Sequence, residues 1–82
     1  MRIVWDEPKR LANLEKHRLD FAALTDEWFA NAWVEPARDE RFRALGRLDD
    51  GLVVVIFAAL GTEALSIISM RPASRQERRL IE

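Results

Sequence analysis

The sequence has 82 residues, no cysteine and a formal net charge of −1. This length fits one compact domain, residues 1–82, and is too short for two. One histidine, no cysteine and no carboxylate cluster at ligand spacing argue against a metal site, and we expect no cofactor. The longest apolar run, residues 52–60, is far below the roughly 20 residues that span a bilayer, and no signal peptide is evident. We therefore expect a cytoplasmic protein without membrane contact.

Arginine dominates the basic residues, with 11 arginines against two lysines. A net charge this close to zero gives no global attraction for nucleic acid. The planar guanidinium group nevertheless suits bidentate contact with phosphate or carboxylate. An anionic ligand would therefore have to meet a local patch of arginines, and their positions matter more than their number.

The N-terminal half is predicted to form a short strand followed by two helices. Residues 2–5 indicate the strand, and residues 6–16 a helix, because acids and proline are typical of a first helical turn. Residues 17–19 break it. Asp20 is predicted to cap a second helix with apolar residues at the helical period. Those residues are Phe21, Leu24 and Trp28.

The C-terminal half is predicted to form an antiparallel meander and a short last helix. The predicted elements are a short strand at 33–34, strands at 41–48, 52–59 and 63–70, and a helix that starts at Ser74. Residues 49–51, Asp-Asp-Gly, are a strong hairpin signal. Ser74 and Glu77 have the spacing of a capping box. Helices in one run and strands in another predict an α+β fold.

Alternation along strand 41–48 separates two sets of side chains. One side has Phe42, Ala44, Gly46 and Leu48, and the other has Arg41, Arg43, Leu45 and Arg47. Since the two N-terminal helices can cover only one face of the sheet, we expect the arginines on the uncovered face. Neighbours on one side of a strand lie about 7 Å apart, which approximates the spacing of successive phosphates. The alternative is a solvated face partly neutralised by nearby acids.

The two ends of the chain resemble the opening and closing signatures of the BrnT toxin family. The opening residues are Trp5-Asp6-Glu7, Lys9, Asn13, Lys16-His17 and Phe21, and the closing residues are Ile68-Ser69, Arg71, Ala73 and Glu77-Arg78. Glu40-Arg41-Phe42 and Gly46 match the family's middle strand. The resemblance covers nearly the whole chain, in the right order and at the right separations.

This resemblance implies a RelE-like fold and the toxin role in a type II toxin–antitoxin system. It implies metal-independent endoribonuclease activity on RNA. It also implies a BrnA-like ribbon-helix-helix antitoxin that binds the toxin and represses their shared operon. Operator DNA would then be contacted only through the antitoxin.

The chain departs from the family pattern at four positions. Arg18 stands where the family usually has glycine, Ser66 where it has arginine, Met70 where it has alanine, and Ile81 near the usual tyrosine. Fewer groups remain for phosphate binding or proton transfer. An alternative function therefore stays open, a catalytically weak binding module that acts as co-repressor with its DNA-binding antitoxin.

RNA cleavage without metal needs a base, an acid and cations that stabilise the extra negative charge. The candidate catalytic residues are His17, Glu40, Arg41 and Arg71. His17 is the one side chain with an ordinary pKa near neutrality, although a surface histidine at a helix end is a plain alternative. Glu40 could act as a base if burial raised its pKa, but pairing with arginine is commoner. Arg71 could bind phosphate or form a salt bridge to Glu77.

The candidate RNA- and phosphate-binding residues are Lys9, Arg43, Arg47 and Arg78. Lys9 lies in a first helical turn, where the dipole disfavours a cation. Among the tryptophans, Trp5 and Trp28 fit core positions and Trp33 an exposed one. Asn13, inside a helix, is expected to bond nearby backbone and fix the pair of helices.

Overall fold

The computed structural model describes residues 1–49 and 51–81. Its elements are β1 (Arg2–Trp5), α1 (Glu7–His17), a 3-10 turn (Phe21–Ala23), α2 (Asp26–Asn31), β2 (Trp33–Pro36), β3 (Phe42–Leu48), β4 (Gly51–Leu60), β5 (Ala64–Pro72) and α3 (Arg75–Arg78). The five strands form one sheet in the order β1-β5-β4-β3-β2. Strands β2 to β5 are an antiparallel meander, and β1 pairs with β5 in parallel. The predicted α+β class is confirmed.

Helix α1 begins and ends within a residue or two of the prediction. Pro8 lies in its first turn, where a missing N–H costs nothing. Arg10 donates to Glu7 at 2.7 Å and to Asp20 at 3.1 Å, which ties the helix to the turn that follows it. The hydrogen bonds that Glu7 accepts from Arg10, and the one from Trp5, lower the pKa of Glu7 to about 2.

The prediction of one helix running from Asp20 through Trp28 is wrong. The Asp20 carboxylate accepts from the amide of Ala22 and caps only the short 3-10 turn. Leu24 and Thr25 are extended, and the Thr25 hydroxyl caps α2 by accepting from the amide of Trp28 at 3.0 Å. Thr25 is a strong competing cap because two acids follow it in the first turn of α2.

The apolar residues of this segment still reach the core, because the turn and the helix each place them against the sheet. The buried cluster contains Phe21, Leu24, Trp28, Ala44, Val53, Val55, Phe57, Ile67 and Met70. Trp5 packs against it, so the core positions predicted for Trp5 and Trp28 are confirmed. A Cβ at Gly46 would lie 3.0 Å from the Trp28 ring, which explains why glycine stands there.

Asn13 joins α1 to the part of β5 that β1 does not reach. Its side-chain carbonyl accepts from the amide of Met70 at 3.1 Å, and its amide group donates to the carbonyl of Leu19 at 3.1 Å. This confirms the prediction that Asn13 bonds backbone, with β5 as an added partner. Trp5, which precedes α1, is paired with Ile67, whereas Asn13 within α1 bonds to Met70. Helix α1 therefore runs along β5 in the direction of Pro72.

Strand β3 starts at Phe42, one residue later than predicted. Arg41 instead belongs to the turn between β2 and β3, where its amide donates to the carbonyl of Arg38 at 3.1 Å. Asp39 and Glu40 have positive φ, so the chain reverses there before the strand begins. The prediction that Arg41 shares a strand face with Arg43 and Arg47 is therefore wrong.

Arg18 ends α1 with φ of 59°, a left-handed conformation that favours glycine. We expect Arg18→Gly to raise the free energy of unfolding by about 0.5–1 kcal/mol, since relief of the strained backbone exceeds the added freedom of the unfolded chain. Urea denaturation measures the change. Lys16→Gly, an exposed position inside the same helix, should lower stability by about 1 kcal/mol. Equal stability of Arg18→Gly and the wild type would contradict this explanation.

Candidate active site

Two arginines stand on the sheet face that points away from the core cluster. Ala44, Val55 and Met70 are neighbours across three strands on the core side. The adjoining residues of each strand point the other way, because side chains alternate along a strand. Arg43 on β3 and Arg71 on β5 are two of these adjoining residues, so both lie on the second face of the sheet.

The carboxylate of Glu77 binds both arginines. Arg71 donates to its two oxygens at 2.6 and 2.8 Å, in the bidentate geometry that suits a guanidinium and a carboxylate. Arg43 donates to the same carboxylate at 2.9 Å. Glu77 is only 6% exposed and so forms the buried centre of the cluster. We call Glu35, Arg43, Arg71 and Glu77 the arginine cluster.

The capping box of α3 sets the position of Glu77. The Ser74 hydroxyl accepts from the amide of Glu77, and the Glu77 carboxylate accepts from the amide of Ser74 at 2.9 Å. The hydrogen bonds from Arg71, followed by those from Ser74, hold the pKa of Glu77 down to about 2 despite its burial. Glu77 in turn raises the pKa of Arg71. Glu77 is therefore a permanent anion at neutral pH.

Glu35 completes the arginine cluster from the edge of the sheet. It lies opposite Arg43 in the register of β2 and β3 and accepts a hydrogen bond from it. The cluster thus contains two guanidinium groups and two carboxylates and is balanced in charge. Glu35 and the Arg43–Glu77 contact were missed from the sequence because each depends on strand pairing or on residues 34 positions apart.

Arg71 keeps hydrogen-bonding capacity despite its partners. A guanidinium has five N–H groups. Three of them donate, two to Glu77 and one to the carbonyl of Pro72. Within residues 1–49 and 51–81 the other two have no acceptor. The Arg71 side chain is 37% exposed, so it is accessible to solvent.

Arg41 and Glu40 are not brought to the arginine cluster. Both are exposed in the turn between β2 and β3. Arg71 lies level with Leu45, four residues from Arg41 and two strands away. These offsets place the Cα atoms of Arg41 and Arg71 roughly 16 Å apart. At this separation Arg41 and Arg71 are not neighbours, so they do not form one catalytic centre.

His17 lies closer to the arginine cluster along the fold. Asn13 is level with Met70, and His17 follows it by one helical turn, about 6 Å further in the direction of Pro72. This offset brings His17 level with the last residues of β5, and its side chain is half-buried. Lys9 is exposed in the first turn of α1, about 12 Å back along the helix axis.

The two remaining candidates, Arg47 and Arg78, lie on different elements of the fold. Arg47 is exposed near the end of β3, where its carbonyl accepts from the Trp28 indole at 3.0 Å. It lines a cavity of about 320 Å³ with residues of α2. Arg78 is exposed on α3, next to Glu77 in the chain. Arg78 is thus the candidate nearest in sequence to the arginine cluster, and Arg47 lies apart.

Arg18, the first of the four family departures, ends α1, and the other three lie elsewhere in the fold. Ser66 pairs with Val4 and Ala58, so the arginine usual at this position would lie on a strand between two neighbours. Met70 is fully buried and adds volume to the core in place of alanine. Ile81 is 39% exposed.

The described residues contain no group of three or more histidine, cysteine or acidic side chains able to hold a metal ion. None of the described helices could cross a membrane.

Comparisons with known proteins agree on one family. Residues 5–77 match the family model for the ribonuclease toxin, BrnT, of type II toxin–antitoxin systems. A crystal structure of the Brucella abortus ribonuclease toxin BrnT is similar, with a TM-score of 0.85 and 50% sequence identity. The similarity covers 92% of this chain and 99% of the Brucella chain. A search of curated proteins finds no match.

Proposed function

Because this chain belongs to the BrnT family of ribonuclease toxins of type II toxin–antitoxin systems, we propose that it is a metal-independent endoribonuclease that an antitoxin neutralises. We place the reaction at the arginine cluster, within a single domain that acts in the cytoplasm. The observation that carries this placement is Arg71: Glu77 holds it by two hydrogen bonds, two of its N–H groups have no acceptor among the described residues, and its side chain is 37% exposed.

The proposed reaction breaks one phosphodiester bond of RNA without a metal ion. The 2′-oxygen attacks phosphorus and gives its proton to a base, and the 5′-oxygen leaves and takes a proton from an acid. The products are a 2′,3′-cyclic phosphate and a 5′-hydroxyl. Negative charge grows on the phosphoryl oxygens as the new bond forms. The free N–H groups of Arg71 are preorganised donors for that charge, and one such donor contributes about 3–4 kcal/mol.

His17 is the proposed acid or base. Imidazole exchanges protons near neutral pH, and His17 lies at the Arg71 end of β5 by its place on α1. Glu77 does not serve as the base, because its pKa is about 2 and its oxygens accept hydrogen bonds from Arg43, Arg71 and Ser74. Glu40 and Arg41, the other two catalytic candidates from the sequence, lie in their separate turn and take no part in this centre. Lys9, Arg47 and Arg78 remain proposed RNA contacts outside it.

The proposed partner is a BrnA-like ribbon-helix-helix antitoxin. Acidic side chains of such a partner would compete with RNA for the exposed N–H groups of Arg71. A partner that covers this face also shields the proposed reaction centre from RNA. Operator DNA would then be bound by the antitoxin, and this chain would reach DNA only as part of the complex.

The metal-independent reaction is tested with purified protein free of its partner. We expect it to cleave single-stranded RNA in EDTA and to leave 2′,3′-cyclic phosphate ends, because the chemistry uses only protein groups. Mass spectrometry of the fragments identifies the ends. Addition of Mg²⁺ should leave the rate unchanged, apart from salt effects on RNA binding. Cleavage that EDTA abolishes and Mg²⁺ restores would overturn the proposed mechanism.

One observation favours a second function, that of a co-repressor with weak catalysis. Glu35 and Glu77 balance the charges of Arg43 and Arg71, and Ser66 replaces a strand arginine of the family. Both features reduce the attraction for a phosphate at this face. Expression without the antitoxin separates the two functions. Growth arrest supports the ribonuclease, and unaffected growth with normal protein levels supports the co-repressor.

A further inference from the structure

The C-terminal arginines form a separate surface next to the arginine cluster in the chain. Ala73, Arg75, Arg78 and Arg79 line an open cavity of about 310 Å³. We call these three arginines the C-terminal patch. Arg75, Arg78 and Arg79 are all exposed, and the cavity is close to the smallest volume typical of ligand sites.

The charge balance distinguishes the C-terminal patch from the arginine cluster. Arg43 and Arg71 each meet a carboxylate, whereas no ion pair of Arg75 or Arg79 with a described residue exists. The only acid within α3, Glu77, points away into the cluster. A polyanion can therefore meet the guanidinium groups of Arg75 and Arg79 without displacing a described carboxylate.

The patch also lies close to the proposed reaction centre along the chain. Only Pro72 and Ala73 separate Arg71 from Ser74, the cap of α3. Arg75 is three residues from Arg78 and four from Arg79, which places their Cβ atoms about 5–6 Å apart on one side of the helical turn. This spacing approximates that of successive phosphates. A strand of RNA held at Arg71 can therefore continue across α3.

We propose, on the basis of the ribonuclease function above, that the C-terminal patch binds the phosphodiester backbone of single-stranded RNA next to the cleaved bond. The groups lining the cavity are guanidiniums and one methyl side chain, which suit phosphate without selecting a base. Leu80 and Ile81 are exposed nearby but do not line the cavity. Cleavage would therefore tolerate many sequences.

The test measures binding of a short single-stranded 2′-O-methyl RNA, which cannot be cleaved because its 2′-oxygen is blocked. Each phosphate contact contributes about 0.7 to the slope of log affinity against log salt concentration for single strands. We expect Arg75→Ala/Arg79→Ala to make this slope less negative by about 1.4, from two contacts of 0.7 each, and to weaken binding at least tenfold at low salt. Fluorescence anisotropy between about 50 and 200 mM salt gives both quantities.

Arg2→Ala is the matched control, because Arg2 is an exposed arginine level with Ala64, about 23 Å along β5 from Arg71. It should leave the slope unchanged. An unchanged slope and affinity in the double variant, while the wild type binds and cleaves RNA, would overturn the patch but not the ribonuclease. The same result with weakened antitoxin binding would assign the patch to an acidic protein surface instead. A wild type that neither binds nor cleaves RNA would defeat both proposals.

Discussion

Replacement of Glu77 by alanine is expected to lower the free energy of unfolding by about 3 kcal/mol. The change leaves Arg43 and Arg71 without their shared carboxylate and removes half of the α3 capping box. Loss of one partner from a buried ion pair costs about 3–5 kcal/mol, and the lower end applies because the two arginines stay 29% and 37% exposed. For a domain of this size the melting temperature should fall by roughly 15 °C.

Thermal and urea unfolding measure this change, with Glu63→Gln as the control at an exposed acid. Glu77→Gln separates shape from charge, since it keeps one oxygen acceptor and most of the volume. Glu77→Gln should lose less stability than Glu77→Ala but more than the control variant. If Glu77→Ala unfolds with the same midpoint as the wild type, the arginine cluster does not stabilise the fold.

The same carboxylate predicts a dependence of stability on pH. The pKa of Glu77 is about 2 in the folded chain and 4.5 ordinarily. Because folding depresses this pKa, its contribution is complete above about pH 4.5 and is lost as pH falls toward 2. Glu7 and Asp20 have lowered pKa values too and contribute in the same direction. Glu77→Gln should remove only the Glu77 part, so the stabilities of wild type and variant should converge at low pH.

Local sequence signals predicted most of the elements. Pro8 after two acids placed the start of α1, the capping-box spacing of Ser74 and Glu77 placed α3, and alternation predicted β3. Each of these signals acts over a few residues, so the chain's own propensities decide the outcome. The prediction of the second helix was wrong because Thr25 competes with Asp20 as a cap. Propensity alone does not rank two possible caps that are five residues apart.

The candidate site was less predictable than the fold. Alternation correctly separated Arg43 from the core side of β3, but it extended the strand to Arg41, where positive φ at Glu40 reverses the chain. The partners of Arg43 depend on tertiary pairing, with Glu35 from the neighbouring strand and Glu77 from α3. No pattern within one element reports such contacts. The roles proposed for the site residues are therefore tested by substitution.

Arg71→Lys is expected to reduce the rate of RNA cleavage by about 10²–10³-fold, the cost of losing one preorganised donor at the reacting phosphate. Lysine keeps the positive charge opposite Glu77, so the buried carboxylate is not left unpaired and the chain should stay folded. It cannot keep the bidentate contact and also present two N–H groups to RNA, because its ammonium is a single point of charge. Arg71→Ala should lose at least as much activity. It should also lose stability, because the Glu77 carboxylate loses its bidentate partner.

Single-turnover cleavage of an RNA oligonucleotide in EDTA gives the rate of the chemical step, and circular dichroism establishes that each variant is folded. Arg2→Lys provides the control for the substitution itself, because Arg2 is an exposed arginine on β1, paired with Ala64 at the far end of β5. The double variant Arg71→Gln/Glu77→Gln removes the guanidinium without a charge imbalance. It should be as inactive as Arg71→Lys, since catalysis depends on the donor and not on the ion pair. A folded Arg71→Lys protein that cleaves at the wild-type rate would remove Arg71 from the proposed mechanism.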